Sequence, residues 1–251
     1  MNFETIIPED AGMSSARLLK AKEYAQRVSD QLGGSGGAVL VARHDKIVGE
    51  WYWGQRGPED THPYDANTMT PLYSVTKGFT AMALSLLIQD GALWLDEPAW
   101  LHVPELKDGD LAKITIRHLA THSSGFPGED PDYASCWQDQ RPGEHLAQTY
   151  FRHAIGRVRR GVVFEPGTAH IYSDPAVIVL GEIIYRVSGE RVPDLLSKRV
   201  FAPLGLERIG WDFQDARVND IATIVNRDWV SHMPDARIMR QGASAAGGLI
   251  S

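Results

Sequence analysis

Ser74-Val75-Thr76-Lys77-Gly78-Phe79-Thr80-Ala81-Met82-Ala83-Leu84-Ser85-Leu86-Leu87-Ile88-Gln89-Asp90-Gly91 is the stretch whose reading decides the fold. The pattern predicts a helix over 71–90, with Gly91 as its C-terminal cap. Phe79, Met82, Ala83, Leu84, Leu86, Leu87 and Ile88 cover nearly its whole circumference, so the helix belongs in the middle of a domain. Ser74 and Lys77 stand one turn apart on the same face. A serine in the first turn lies in the positive field of the helix N-terminus, which favours an alkoxide or a developing oxyanion. A lysine held against apolar surface loses hydration, and its neutral amine can then take a proton. This is the physical content of an S-x-x-K nucleophile. The short pattern recurs by chance, and its bland reading is a serine near a cap beside a snorkelling lysine.

Around that helix the chain reads as mixed α and β. Ser14 or Ser15 caps a first helix, along which Leu18, Ala21, Ala25, Val28 and Leu32 recur at helical spacing. Gly33-Gly34-Ser35-Gly36-Gly37 ends it, and two strand-like runs over 38–43 and 47–53 flank a polar turn at His44-Asp45-Lys46. A hairpin with the first helix packed on it follows. Further helices are expected over 114–121, 145–157, from Asp174 to about 187, and over 192–200, with a loop-rich stretch over 125–166.

The bulk properties exclude several function classes. The chain has 251 residues, 43% of them hydrophobic, enough for a packed core. A net charge of −7 argues against a nucleic-acid or anionic-membrane surface. The single cysteine, Cys136, leaves no internal disulfide framework. No secretory signal and no apolar run of membrane-spanning length is visible, so a soluble, cytoplasmic protein is expected.

The second candidate element is Tyr172-Ser173-Asp174. A tyrosine near a lysine ammonium has its phenolate favoured and can act as general base to a serine. The same residues support a plainer reading, in which Asp174 caps the helix that Pro175 starts and Tyr172 packs beside it. Other patterns are decoys. Gly33-Gly34-Ser35-Gly36-Gly37 matches G-x-S-x-G, but it lies after a helix and before a strand, the reverse of a nucleophile elbow. His118 and His122 have the i,i+4 spacing of paired zinc ligands without the H-E-x-x-H glutamate or a third ligand, so they read as a helix and turn supporting the site. Arg157, Arg159 and Arg160 read as a solvated face. Trp137, in the loop-rich stretch, is a candidate for the wall of a substrate cleft.

S-x-x-K followed by Tyr172-Ser173-Asp174 resembles the serine β-lactamase and penicillin-recognising superfamily, in particular its branch of class C β-lactamases, family VIII carboxylesterases and related peptidases. Ile114-Thr115-Ile116-Arg117-His118-Leu119, Thr121-His122-Ser123-Ser124-Gly125, Phe164-Glu165-Pro166-Gly167-Thr168, Pro203-Leu204-Gly205-Leu206 and Ala246-Gly247-Gly248-Leu249 resemble it too, in the family's order. The resemblance implies an α/β (α+β) fold with an antiparallel sheet flanked by helices and a mostly helical domain. Residues 1–65 would supply the helix and hairpin of the α/β domain, 66–235 the helical domain, and 236–251 the start of a return to the sheet. It further implies that Ser74 is acylated, that Lys77 and Tyr172 move its proton, and that the backbone N–H of Ser74 is half of an oxyanion hole. No cofactor or metal is implied.

Two departures matter. The family usually has Asn where this chain has Asp174, and a carboxylate beside Lys77 favours its ammonium and moves base duty toward Tyr172. The family's third motif, Lys/His-x-Gly, should follow Gly247-Gly248-Leu249; Lys107-Asp108-Gly109 fits its pattern but precedes Tyr172. The expectation is therefore an N-terminal portion of a longer protein, with an incomplete sheet. The implied function is a serine hydrolase of a small ester or amide, esterase before β-lactamase or D-Ala-D-Ala peptidase because no export signal is seen. The competing class is a non-catalytic acyl-binding sensor or degenerate homologue. Transfer to an alcohol or amine instead of water, and the oligomeric state, stay open.

Overall fold

The computed structural model describes residues 3–128, 136, 138–213, 216–222 and 244–251. The chain divides into two compact units, Met1–Pro71 with Phe213–Met233 and Ser251, and Leu72–Asp212 with Pro234–Ile250. This division by contacts sets the first boundary at Pro71/Leu72, where the sequence suggests 65/66, and it groups Ala246–Leu249 with the helices.

In the first unit, strands β1 (Glu4–Thr5), β2 (Gly36–Arg43) and β3 (Lys46–Gly54) form a sheet of order β1-β3-β2. β2 and β3 are the expected antiparallel hairpin, with Arg43 opposite Lys46. His44 and Asp45 make the turn, both at positive φ (51° and 58°), the backbone a two-residue turn needs to match strand twist. The sheet is mixed, not purely antiparallel, because β1 pairs parallel to β3. Two residues are too short for a period-2 pattern, so sequence reading misses this strand. Helix α1 (Ser15–Gln31) starts where Ser14 accepts a hydrogen bond from the Arg17 N–H. Of its apolar stripe only Leu18 is buried, against Ala11 and Val48, while Leu32 stays 77% exposed.

The second unit holds α2 (Thr76–Gln89), α3 (Ile116–Ala120), α4 (Leu146–Val158), α5 (Asp174–Ser188) and α6 (Val192–Leu196). The helix at its centre is α5, every residue of which is buried from Asp174 to Ile184. The sequence assigns that place to α2, which instead buries one face, Thr76, Thr80, Ala83, Leu84 and Leu87, and leaves Met82 exposed. The outward positions of α2 include Gly78, Ala81 and Ser85, which lose little by facing water. Gly91 ends α2 at φ 71°, with its N–H on Ile88 C=O and the Ala92 N–H on Leu87 C=O, a Schellman closure. No helix among the described residues is long and apolar enough to cross a membrane.

Candidate active site

The chain enters α2 through a tight turn at Tyr73–Val75. Tyr73 carries a left-handed φ of 45°, a conformation that costs a non-glycine residue roughly 1–3 kcal/mol and persists only where the surroundings impose it. The turn leaves Ser74 exposed two residues ahead of Thr76, the first residue of the helix, with Lys77 in the first helical turn.

Around Ser74 Oγ two side chains converge. Lys77 Nζ donates to it at 3.0 Å and the Tyr172 hydroxyl donates to it at 2.6 Å. Lys77 Nζ also donates to the Ala246 C=O at 2.8 Å and lies 2.7 Å from Asp174 Oδ1 in an ion pair. The Lys77 and Asp174 side chains are 11% and 9% exposed, so this pair is largely out of water. Lys77 Nζ further sits 4.7 Å from the centre of the Tyr172 ring, a cation–π contact.

The position of Asp174 follows from local capping. Ser173, not Asp174, is the N-cap of α5: its Oγ accepts from the Ala176 N–H and donates to the Pro127 C=O. Asp174 becomes the first helical residue, ahead of Pro175, and its carboxylate is released from capping to meet Lys77. The plainer reading of Asp174 as a cap is thereby corrected.

The segment 244–250 is fixed along α2 by side chains that sequence reading passes over. Thr76 Oγ1 accepts from the Leu249 N–H at 3.1 Å, and Thr80 Oγ1 donates to the Ala245 C=O at 2.7 Å. On the other side Gly181 of α5 lets this segment approach, since a Cβ there would lie 2.5 Å from Ala245 Cβ. The signal for these clamps was present as two polar residues four apart on the buried side of an otherwise apolar helix.

His118 and His122 do not form a metal pair. His118 Nδ1 accepts from the Thr115 N–H in the capping box of α3, and His122 Nδ1 accepts from the Ser173 N–H at 3.2 Å. Among the described residues no group of three or more His, Cys, Asp or Glu could hold a metal ion. Burial holds His122 below the ordinary histidine range, helped by the charges of Lys77 and His170 and opposed by Asp174. Of the candidate residues, the structure brings Ser74, Lys77, Tyr172 and Asp174 together; Trp137 lies outside the described residues.

Comparison with known proteins gives a consistent result. The family described as Beta-lactamase matches residues 21–251. A putative D-alanyl-D-alanine carboxypeptidase of Escherichia coli strain K12 is 28% identical over 92% of this chain and 56% of its own. Esterase EstB of Burkholderia gladioli is 30% identical over 80% of this chain and 53% of its own. The octameric penicillin-binding protein homologue from Pyrococcus abyssi superposes with a TM-score of 0.76 at 25% identity, covering 93% of this chain and 53% of that one. The chain thus spans about half the length of the curated relatives it matches.

Proposed function

This chain belongs to the Beta-lactamase family, and on that premise we propose that it acts as a serine hydrolase on a small ester or amide through an acyl-Ser74 intermediate. The observation that carries the reading is the placement of one exposed hydroxyl, Ser74 Oγ, within hydrogen-bond reach of both Lys77 Nζ and the Tyr172 hydroxyl. Two N–H groups of a Lys77 ammonium go to Ser74 Oγ and the Ala246 C=O, and the Asp174 carboxylate balances the charge. In this arrangement Lys77 stabilises anionic oxygen, and proton traffic falls to Tyr172.

In acylation, Tyr172, once the hydroxyl proton it donates to Ser74 Oγ has passed to solvent, takes the Ser74 proton while Ser74 Oγ bonds to the substrate carbonyl carbon and the C=O electron pair moves onto oxygen. The tetrahedral species collapses, the bond to the leaving group breaks, and Tyr172 returns the proton to that group. Water repeats the sequence in reverse on the acyl-serine, with Tyr172 accepting its proton and Ser74 leaving as the hydroxyl. The exposed flank of Ser74 and Tyr172, the latter 44% accessible, is open to a substrate.

An ester is the first substrate class, in line with the esterase relative; the carboxypeptidase relative makes a D-alanyl-D-alanine peptide the second. The test is a side-by-side assay of p-nitrophenyl acetate, nitrocefin and a D-alanyl-D-alanine peptide with the wild type and Ser74→Ala. A p-nitrophenol burst that Ser74→Ala abolishes supports the reading. Turnover of all three that survives Ser74→Ala rejects it. Covalent labelling without turnover assigns the chain to the acyl-binding class instead.

A further inference from the structure

Tyr172 sits between two residues whose amides are both held by one other residue, His122. The Ile171 N–H donates to the His122 C=O at 3.1 Å, and the Ser173 N–H donates to His122 Nδ1 at 3.2 Å. Between these two anchors the His122 ring lies 4.7 Å from the Tyr172 ring, centre to centre, tilted by 35°. Lys77 Nζ lies 4.7 Å from the centre of the same phenol ring.

His122 itself is in a costly conformation. Its φ is 55°, in the left-handed region that few non-glycine residues occupy, histidine more readily than most, at a cost of roughly 1–3 kcal/mol. A turn that only had to reverse the chain here would be better served by Gly or Asn. The conformation does place carbonyl and ring nitrogen on the same side, toward the strand of chain that carries Tyr172. The other titratable groups facing the ring are Lys77 from α2, Asp174 from α5 and His170, whose ring is edge-on at 5.8 Å. Burial, and after it the charge of Lys77, favour the neutral imidazole, the form in which Nδ1 can accept.

We propose that His122 is the positioning residue of Tyr172, holding the phenol over Ser74 by gripping the backbone on both sides of it and bracing its ring. The proposal rests on the acyl-serine reading above and adds to it a residue with no direct contact to the nucleophile. Tyr172 is 44% exposed, so the hydroxyl's 2.6 Å approach to Ser74 Oγ depends on the backbone being held. Small losses of orientation at a proton-transfer group are expensive in rate, with a displacement of about 1 Å costing on the order of 100-fold.

Two substitutions separate positioning from mere folding, because both fit a left-handed backbone. His122→Asn keeps an oxygen where Nδ1 accepts from Ser173, and His122→Gly removes it. The readout is the burst rate constant of Ser74 acylation by p-nitrophenyl acetate at saturation, with the half-saturation concentration measured beside it. His122→Gly is expected to acylate about 10- to 100-fold more slowly with little change in half-saturation, and His122→Asn to recover most of that loss. Equal rates for wild type and His122→Gly, or equally slow Gly and Asn variants with unchanged thermal unfolding, would overturn the proposal. The contact is also read without turnover: imidazole 15N spectra at neutral pH should show His122 protonated on Nε2 alone, and an Nδ1–H tautomer rejects it. A wild type that is not acylated at Ser74 refutes the hydrolase reading, and the 15N result still decides the role of His122.

Discussion

Replacing Asp174 by Asn tests how the charge on Lys77 divides the proton traffic. The substitution keeps an oxygen near Lys77 Nζ, now 2.7 Å from Asp174 Oδ1, but removes the negative charge. Removing one partner of a charge pair held out of water leaves the other charge uncompensated, a loss of about 3–5 kcal/mol where the pair is buried. Both side chains are about nine-tenths out of water, so little of this is lost to solvent screening. With its counter-charge gone, Lys77, 3.0 Å from Ser74 Oγ, becomes a second route for the Ser74 proton. Tyr172→Phe alone should slow acylation by roughly 100- to 10,000-fold, the usual worth of a positioned acid–base group. In the Asp174→Asn background the same change should cost less, by a coupling of at least about 1.4 kcal/mol. The assay is burst-phase acylation by p-nitrophenyl acetate across pH for wild type, both single variants and the double variant. Additive effects within about 0.5 kcal/mol, together with a pH–rate profile that Asp174→Asn leaves unmoved, would refute the reasoning.

Three further outcomes are expected from the framework around the site. Thr76→Val leaves the buried Leu249 N–H without its acceptor, so urea unfolding should show a loss of about 1–3 kcal/mol, and acylation should slow as the Ala246 C=O loosens from Lys77. Ser173→Ala removes the cap of α5 and should cost about 0.5–2 kcal/mol in the same measurement, with slower acylation because Asp174 and Tyr172 flank the cap. Glu144 is pulled down to about 2, chiefly by its hydrogen bond to Arg152. Its folded-state affinity for protons is thus lower than that of the unfolded chain, so its stabilisation is full above the ordinary value of 4.5 and is lost as pH falls toward about 2. Urea midpoints of wild type and Glu144→Gln should therefore differ at pH 7 and converge in acid.

Much of the site could be read from the chain because its chemistry is local. Ser74 and Lys77 sit one turn apart by helix geometry alone, and Tyr172 and Asp174 are close in sequence to a cap and a proline that mark a helix start. What the sequence misjudges depends on which neighbour is reached. α2 looked central because its apolar residues surround it, yet small residues on one side let that side face water, and α5 takes the centre. Sequence alone places the cap of α5 one residue late, since Ser173 and Asp174 are both good caps and only long-range contacts, Ser173 to Pro127 and Asp174 to Lys77, distinguish them. The main-chain carbonyl of Ala246 and the ring nitrogen of His122 are contacts between distant segments, for which periodicity carries no signal. β1 owes its place to pairing with β3 and has too few residues to announce itself.

The central claim is that Ser74 is a nucleophile made reactive by Lys77 and Tyr172. Intact-protein mass spectrometry after exposure to a fluorophosphonate tests it most directly, because the probe records covalent attack without requiring turnover. One adduct per chain is expected, located on Ser74 by peptide mapping, absent in Ser74→Ala and formed far more slowly in Tyr172→Phe. An adduct that persists in Ser74→Ala, or a folded wild type that takes up no probe, would contradict it.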